Sequence, residues 1–252
     1  MGERDMRRLG WTILALSIAI PSLVHAQSVN IDLGAAGEAG ATARIVQLTA
    51  LITVLSLAPS ILVMTTAFTR IVIVLSLLRN ALSTQGTPPN IVIVGLALFL
   101  SFFVMEPAMN QAWTQGIQPM TDGRISETEG LRLAVEPFHA FMADTARESD
   151  VRFFMELGHL DTSDAADPAP WRALVPAFIV GELRRSFEMG FLIFLPFLVI
   201  DIVVASVLMS LGMMMLPPSA VSLPFKLIFF VMIDGWRLIA GSLIQSFMVG
   251  GP

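Results

Sequence analysis

Four long apolar runs pattern the chain, at 45–78, 91–111, 187–216 and 223–249, and one long polar segment separates the second from the third. Such runs read as membrane helices. Short connections rich in proline lie inside each pair. The first holds Arg79-Asn80 and Thr87-Pro88-Pro89-Asn90, and the second is Pro217-Pro218-Ser219-Ala220. Proline pairs stop helices and suit tight connections. The pattern therefore predicts an all-α integral membrane protein. Two long helical hairpins, 45–111 and 173–252, flank a small polar helical segment at 112–172.

The helices are too long for simple crossings. Run 45–78 has 34 residues, ~51 Å of helix at ~1.5 Å per residue, and run 187–216 has 30, ~45 Å. A hydrocarbon core is only ~30 Å thick. Pro59, Pro107 and Pro196 are expected to kink these helices.

The polar segment carries eleven of the 20 acids against five arginines. Two amphipathic helices fit it. Ser126-x-x-Glu129 and Thr145-x-x-Glu148 read as capping boxes. Leu131, Val135, Phe138 and Met142 recur at helical spacing, and Gly158 ends the second helix. Asp161, Asp164 and Asp167 lack the glycine and terminal glutamate of an EF-hand loop and read as a solvated linker. His139 and His159 read as surface residues without triad partners.

The N-terminus has its own order. Arg7 and Arg8 precede an apolar run at 9–20, Pro21 breaks it, and Val24-His25-Ala26 supplies small side chains. That is the order of a secretory signal peptide (1–26), with cleavage between Ala26 and Gln27. The alternative is an uncleaved first membrane helix. Residues 27–44 follow as a Gly/Ala-rich exported leader. With cleavage, the polar segment faces outside and both tight turns face the cytoplasm. The positive-inside test supports this only weakly, because the segment is too long to count.

Composition sharpens the membrane reading. The 252 residues are 55% hydrophobic and 14% charged, and mean hydropathy is +0.75. An ordinary soluble domain is about 25% charged. The absence of cysteine excludes disulfide scaffolds, zinc–thiolate sites and cysteine nucleophiles. A net charge of −5 without a basic tract argues against nucleic acid. No G-x-x-x-x-G-K-[ST] loop is present, and no histidine lies in an apolar run to serve a serine nucleophile. Neither an enzyme nor a cofactor is expected.

Charges inside the runs, with Glu182 just before the third, carry the candidate chemistry: Arg70, Glu106, Glu182, Asp201, Lys226, Asp234 and Arg237. Each costs ~2.5–3.5 kcal/mol at a bilayer centre and faces protein or water. Counting depth from a turn at 217–222 puts Asp201 level with Arg237, with Lys226 ~18 Å nearer the turn. Three environments for Asp201 follow: Lys226 of a neighbouring subunit, Arg237 of the same chain, or water. Met213, Met214 and Met215 end the third run. Methionine is flexible and polarizable, so a ring of such triplets makes a soft seal; plain core filling is the alternative.

The stretch Pro176-Ala-Phe-Ile-Val-Gly-Glu-Leu-Arg-Arg-Ser-Phe-Glu-Met-Gly190 resembles one signature of the FliP family. Pro196-Phe-Leu-Val-Ile-Asp201 through Met215 resembles a second, and Leu223-Pro-Phe-Lys226, Asp234-Gly-Trp236 and Phe68-Thr-Arg70 continue the match. Gly181 and Ser186 depart from the family's usual choices. The family is the P subunit of the flagellar type III protein-export gate. The resemblance implies five copies with Q and R subunits in a helical pore within the basal body of the bacterial inner membrane. It implies passage of unfolded flagellar proteins, a methionine gasket at Met213–Met215 and charged contacts between neighbouring P subunits. Energy comes from partner export components. The virulence-secretion relatives generally lack a cleaved signal, which favours the flagellar branch. A secondary transporter is the alternative class, since paired broken helices fit one.

Overall fold

In a computed structural model, the structure describes residues 41–84, 86–160, 169–213 and 215–248. The signal peptide with Ala26 and Gln27, most of the leader, Asp161, Asp164, Asp167 and Met214 lie outside the described residues. The chain divides into two units at Val54 and Leu55. Of the first, the described part is the start of helix α1 (Ala41–Met64). The second unit, Leu55–Pro252, holds the remaining elements.

Every regular element among the described residues is helical. After α1 come α2 (Phe68–Ala81), α3 (Asn90–Gln111), a π-helical turn (Ala112–Ile117), α4 (Gln118–Thr121), α5 (Glu127–Thr145) and α6 (Glu148–Leu157). Then follow α7 (Trp171–Ser210), α8 (Pro218–Met232) and α9 (Gly235–Met248). Among the described residues two stretches are long and apolar enough to cross a membrane, Asn90–Thr121 and Trp171–Ser210. The pair α8 and α9 also qualifies, bent by 64° at its break.

The breaks do not fall at the prolines. Helices run on through positions 59, 107 and 196. The first apolar run breaks at 65–67 instead. There the hydroxyl of Thr65 donates to the Ile61 carbonyl (3.0 Å) and that of Thr66 to Val63 (3.1 Å). Such back-bonding competes with the helix ladder. The second break falls at Asp234, whose φ of 53° is left-handed. A short polar side chain tolerates that region better than most.

Helix α2 is the buried element. Ile71, Val74, Leu75 and Leu78 are fully enclosed, and the helix packs against both α3 and α7. Gly190 permits the close approach of α7, because a Cβ there would meet Leu77 Cδ1 at 2.2 Å. At one end α2 shares a core with Ile93, Ala97, Met105 and Leu243; at the other it meets Phe197 and Phe230.

The polar segment folds back on this frame. Gly116 in the π turn meets α5 backbone to backbone; a Cβ would lie 2.6 Å from the Ala134 nitrogen. Ser126 caps α5 as expected, accepting from the Glu129 N–H. The second expected box does not form. Thr145 is the last residue of α5, and the extended backbone at Ala146 and Arg147 starts α6. The buried stripe of α5 passes through Gly130, Ala134, Pro137 and Met142, which leaves Leu131 and Val135 exposed. Gly158 ends α6, although His159 takes the left-handed position. His139 is a correction: it is buried, with Nε2 2.8 Å from the Ala169 carbonyl and its ring edge-on to Trp171.

Candidate functional site

The end of α7 sets the site. Gly212, with φ of 72°, donates to the Met209 carbonyl (3.1 Å), and Met213 donates to Leu208 (3.0 Å). This pair of reverse bonds is a Schellman closure, which a left-handed glycine makes without strain. Pro217 and Pro218 do not stop α7. Pro218 opens α8 at its first position, where a missing N–H costs nothing. The turn therefore spans 211–217, and the methionines are its content. Met213 is 43% exposed and Met215 99%.

That placement corrects the depth count. Asp201 is nine residues before Ser210, and Lys226 is eight after Pro218, so both lie ~12–14 Å from their helix ends. They are level, and they pair within one chain: Lys226 Nζ donates to Asp201 Oδ2 at 2.7 Å. The contact expected between neighbouring subunits is thus already made internally, and Asp201 does not pair with Arg237. Two further acceptors complete the ammonium shell, the Ala81 carbonyl and Ser83 Oγ, both at 3.0 Å. Ala81 ends α2, where carbonyls lack helical partners and favour a cation. The Ser222 hydroxyl donates to Asp201 Oδ1 at 2.5 Å. Ser222 and Ser83 were not singled out from sequence. Ser222 stands one helical turn before Lys226, and that spacing is the signal for it.

A second cluster holds the far part of α7. Arg70 Nε donates to Glu182 Oε2 at 2.9 Å, and Nη2 donates to Oε1. Nη1 donates to the Ser246 carbonyl (3.0 Å) and Oγ (2.9 Å), near the end of α9. The Phe247 ring lies 3.7 Å from the guanidinium carbon. Both charged side chains are 1% exposed.

The remaining charges expected to be buried are not. Glu106, Asp234 and Arg237 are exposed on the single chain. Apolar side chains share that exposure, among them Phe99 at 77% and Met232 at 80%. No described element covers these faces. Gly181 and Ser186 fit locally: a Cβ on Gly181 meets only Asp150 at 3.7 Å, and Ser186 bonds back to the Glu182 carbonyl. Among the described residues no group of His, Asp or Glu is arranged to hold a metal ion.

Comparison with known proteins gives the family. The FliP family model matches residues 51–243. A flagellar biosynthetic protein FliP of Caulobacter vibrioides is 51% identical over 98% of this chain and 93% of its own length. Its namesake from Rhizobium meliloti is 45% identical over 96% of this chain and its full length. That of Bacillus subtilis is 50% identical over 80% of this chain and 91% of its own. A match over most of the chain at such identity, with the charged and methionine residues in the matched region, is decisive: the chain belongs to the FliP family.

Proposed function

We propose that the chain is a pore-forming core subunit of the flagellar type III export gate, passing unfolded flagellar proteins across the bacterial inner membrane. The relatives' shared name supports the flagellar assignment. One observation carries the pore. The turn between α7 and α8 presents bare methionines, with Met215 at 99% exposure. A flexible thioether chain that nothing in its own subunit covers is suited to close against a changing partner. Repeated around an axis, these turns form a soft collar, and a dry constriction also blocks ions. The exposed apolar helix faces supply surface for lipid and for neighbouring subunits: further copies of this chain, five in the full gate, with Q and R subunits.

Replacing Met213, Met214 and Met215 by alanine tests this. The complex is expected to assemble, and the membrane to leak small ions at least tenfold faster than with the native triplet. Unchanged permeability with the complex assembled overturns the collar. The 64° break between α8 and α9 favours a second reading, a transporter with a site at a broken helix. That reading requires uptake of a small solute by the isolated chain; export of flagellar subunits by the assembled complex excludes it.

A further inference from the structure

The turn between α7 and α8 gathers thioether side chains in a stretch without charge. Two hydrogen-bonded turns follow each other there. The Gly212 N–H donates to the Met209 carbonyl (3.1 Å), and the Leu216 N–H donates to the Met213 carbonyl (3.3 Å). Each draws the ends of a four-residue segment together, to a Cα separation under ~7 Å. Met209, Met213 and Met215 therefore sit on one short reversal of the backbone. The core does not take up their side chains, which are 58%, 43% and 99% exposed. Met214 lies between the last two in sequence.

Sulfur is the side-chain donor of this turn. Residues 211–217 carry no other, and from 202 to 225 the chain has no acid, no base and no histidine. The charged residues that bound the stretch are engaged with each other. Lys226 Nζ donates to Asp201 Oδ2 at 2.7 Å, and the Ser222 hydroxyl donates to Oδ1. Hard cations such as Mg²⁺ and Ca²⁺ need oxygen ligands, and Zn²⁺ takes thiolate, imidazole or carboxylate. Thioether sulfur selects a soft monovalent ion instead. Flexible methionine side chains can close on such an ion without a preformed cage.

We infer that the α7–α8 turn is a soft-metal site, in which Met209, Met213 and Met215 ligate Cu(I) through sulfur. A thioether neither takes nor loses a proton near neutral pH, so the ion meets no competition from protons. Imidazole, thiolate and carboxylate ligands all meet it. An ion that ties these sulfurs together also stiffens the turn. On the reading that the turns form a collar, a bound ion holds the pore shut.

Silver(I) is the probe, because it shares the softness of Cu(I) and air does not oxidise it. Purified full-length chain is dialysed against silver nitrate in chloride-free buffer, and bound metal is measured across the pH range. A tight site is expected, with affinity unchanged between about pH 5 and pH 8. Replacing Met209, Met213, Met214 and Met215 by leucine keeps the apolar volume and removes the sulfur. Binding is expected to weaken ~10-fold or more. Met215→Leu alone should also weaken it, and it alters a side chain that its own chain leaves bare, so it tests the site even where the fourfold variant does not fold. Met232→Leu, at the far end of α8 and 80% exposed, should leave binding unchanged. Absence of a tight site, affinity that falls in acid, or undiminished binding by the folded leucine variants overturns the site. Export by the native complex in inverted membrane vesicles, with and without silver, separates this inference from the gate reading. Export without silver by a complex that binds none overturns the site and leaves the gate. Silver binding by a complex that never exports leaves the site and overturns the gate. Export that persists with the site filled overturns the locking of the collar.

Discussion

Two buried cations hold α7, and the difference between them separates a fixed joint from an adjustable one. Their composition is alike. Each has a carboxylate from α7, a carbonyl from a helix end and a serine hydroxyl: Glu182 and Ser246 for Arg70; Asp201, Ala81 and Ser83 for Lys226. Nineteen residues, ~28 Å of helix, separate the two carboxylates. Their exposure differs. Glu182 is 1% exposed and Asp201 31%. The guanidinium is also held in a fixed plane by a two-point pair and an aromatic face, whereas the ammonium is a point charge on a flexible stem. The chain itself encloses the carboxylate of Glu182 and leaves that of Asp201 partly uncovered. The joint left open, the lower one, is the one nearest the methionine turn.

The largest effect is expected at the sealed joint. Arg70→Ala and Glu182→Ala each strand a buried charge, at a cost of ~3–5 kcal/mol. Total stability of a domain is ~5–15 kcal/mol, so little folded chain should accumulate. The two losses should be nearly equal, because neither remaining partner reaches water. Protease resistance in membranes and melting in detergent both report it. Arg70→Lys should fail to restore the native melt, since lysine offers neither the fork nor the stacking plane. Full rescue by lysine would erase the difference between the joints.

The lower joint should behave asymmetrically. Asp201→Ala leaves Lys226, at 1% exposure, without its counter-charge, and ~3–5 kcal/mol is expected from a stranded buried ion. Lys226→Ala strands a carboxylate that its own chain leaves 31% exposed, so the loss should be nearer ~1–3 kcal/mol. The exchange Asp201→Lys with Lys226→Asp should recover part of either loss. Equal losses in the two single variants would mean that Asp201 is as sealed as Glu182, and the comparison would collapse. A double-mutant cycle on purified protein gives the numbers.

The sequence made the helices legible and hid the joints. Run length and hydropathy placed the apolar helices, because burial in lipid leaves an unbroken signal. Helix ends were the weak point. Pro217-Pro218 looked like the stop, yet Gly212 closes α7 and Pro218 opens α8. That shift of a few residues moved the estimated turn and put Lys226 out of reach of Asp201. The first apolar run breaks at Thr65-Thr66 and not at position 59, and no apolar pattern records that break. Arg70 was visible as a charge in an apolar run and Glu182 as one just before the third run, but their pairing joins positions 112 apart in sequence. His139 was misplaced because an amphipathic stripe cannot tell a surface imidazole from one tucked under a returning chain. Glu106 shows the converse. Its place in an apolar run predicted burial, and the described residues leave it exposed.

A buried hydrogen bond with no acidic partner separates the cost of an ion pair from the cost of burial. His139 is 5% exposed, and its Nε2–H donates to the Ala169 carbonyl at 2.8 Å. Its ring centre lies 4.9 Å from that of Trp171. His139→Phe keeps a ring and removes the donor. The expected loss is ~1–2 kcal/mol, the value of one hydrogen bond with its acceptor left dry. That falls below either loss at the sealed joint. A loss as large as that of Glu182→Ala would show that burial alone, and not charge, sets the scale at the two joints.

The smallest effect belongs to a charged pair with no burial. Arg132 donates to Glu129 through Nε (3.0 Å) and Nη2 (2.7 Å), on the exposed face of α5. The geometry is the two-point fork of Arg70 and Glu182, placed in water. Hydrogen bonds from Arg132, aided by its positive charge, hold the Glu129 carboxyl below its ordinary range. A carboxylate with a lowered folded-state pKa contributes stability above its unfolded value, and that contribution fades as pH falls through the folded value. The fading should therefore occur on the acid side of the ordinary glutamate value of ~4.3. Glu129→Gln should change the melt at neutral pH only slightly, since solvent and salt screen an exposed pair. The gap between native and variant melts should narrow on acidification and also on adding salt. A gap that widens with acid would reverse the sign of the linkage. A neutral-pH loss near that of Glu182→Ala would mean that fork geometry, and not exclusion of water, makes the upper joint rigid.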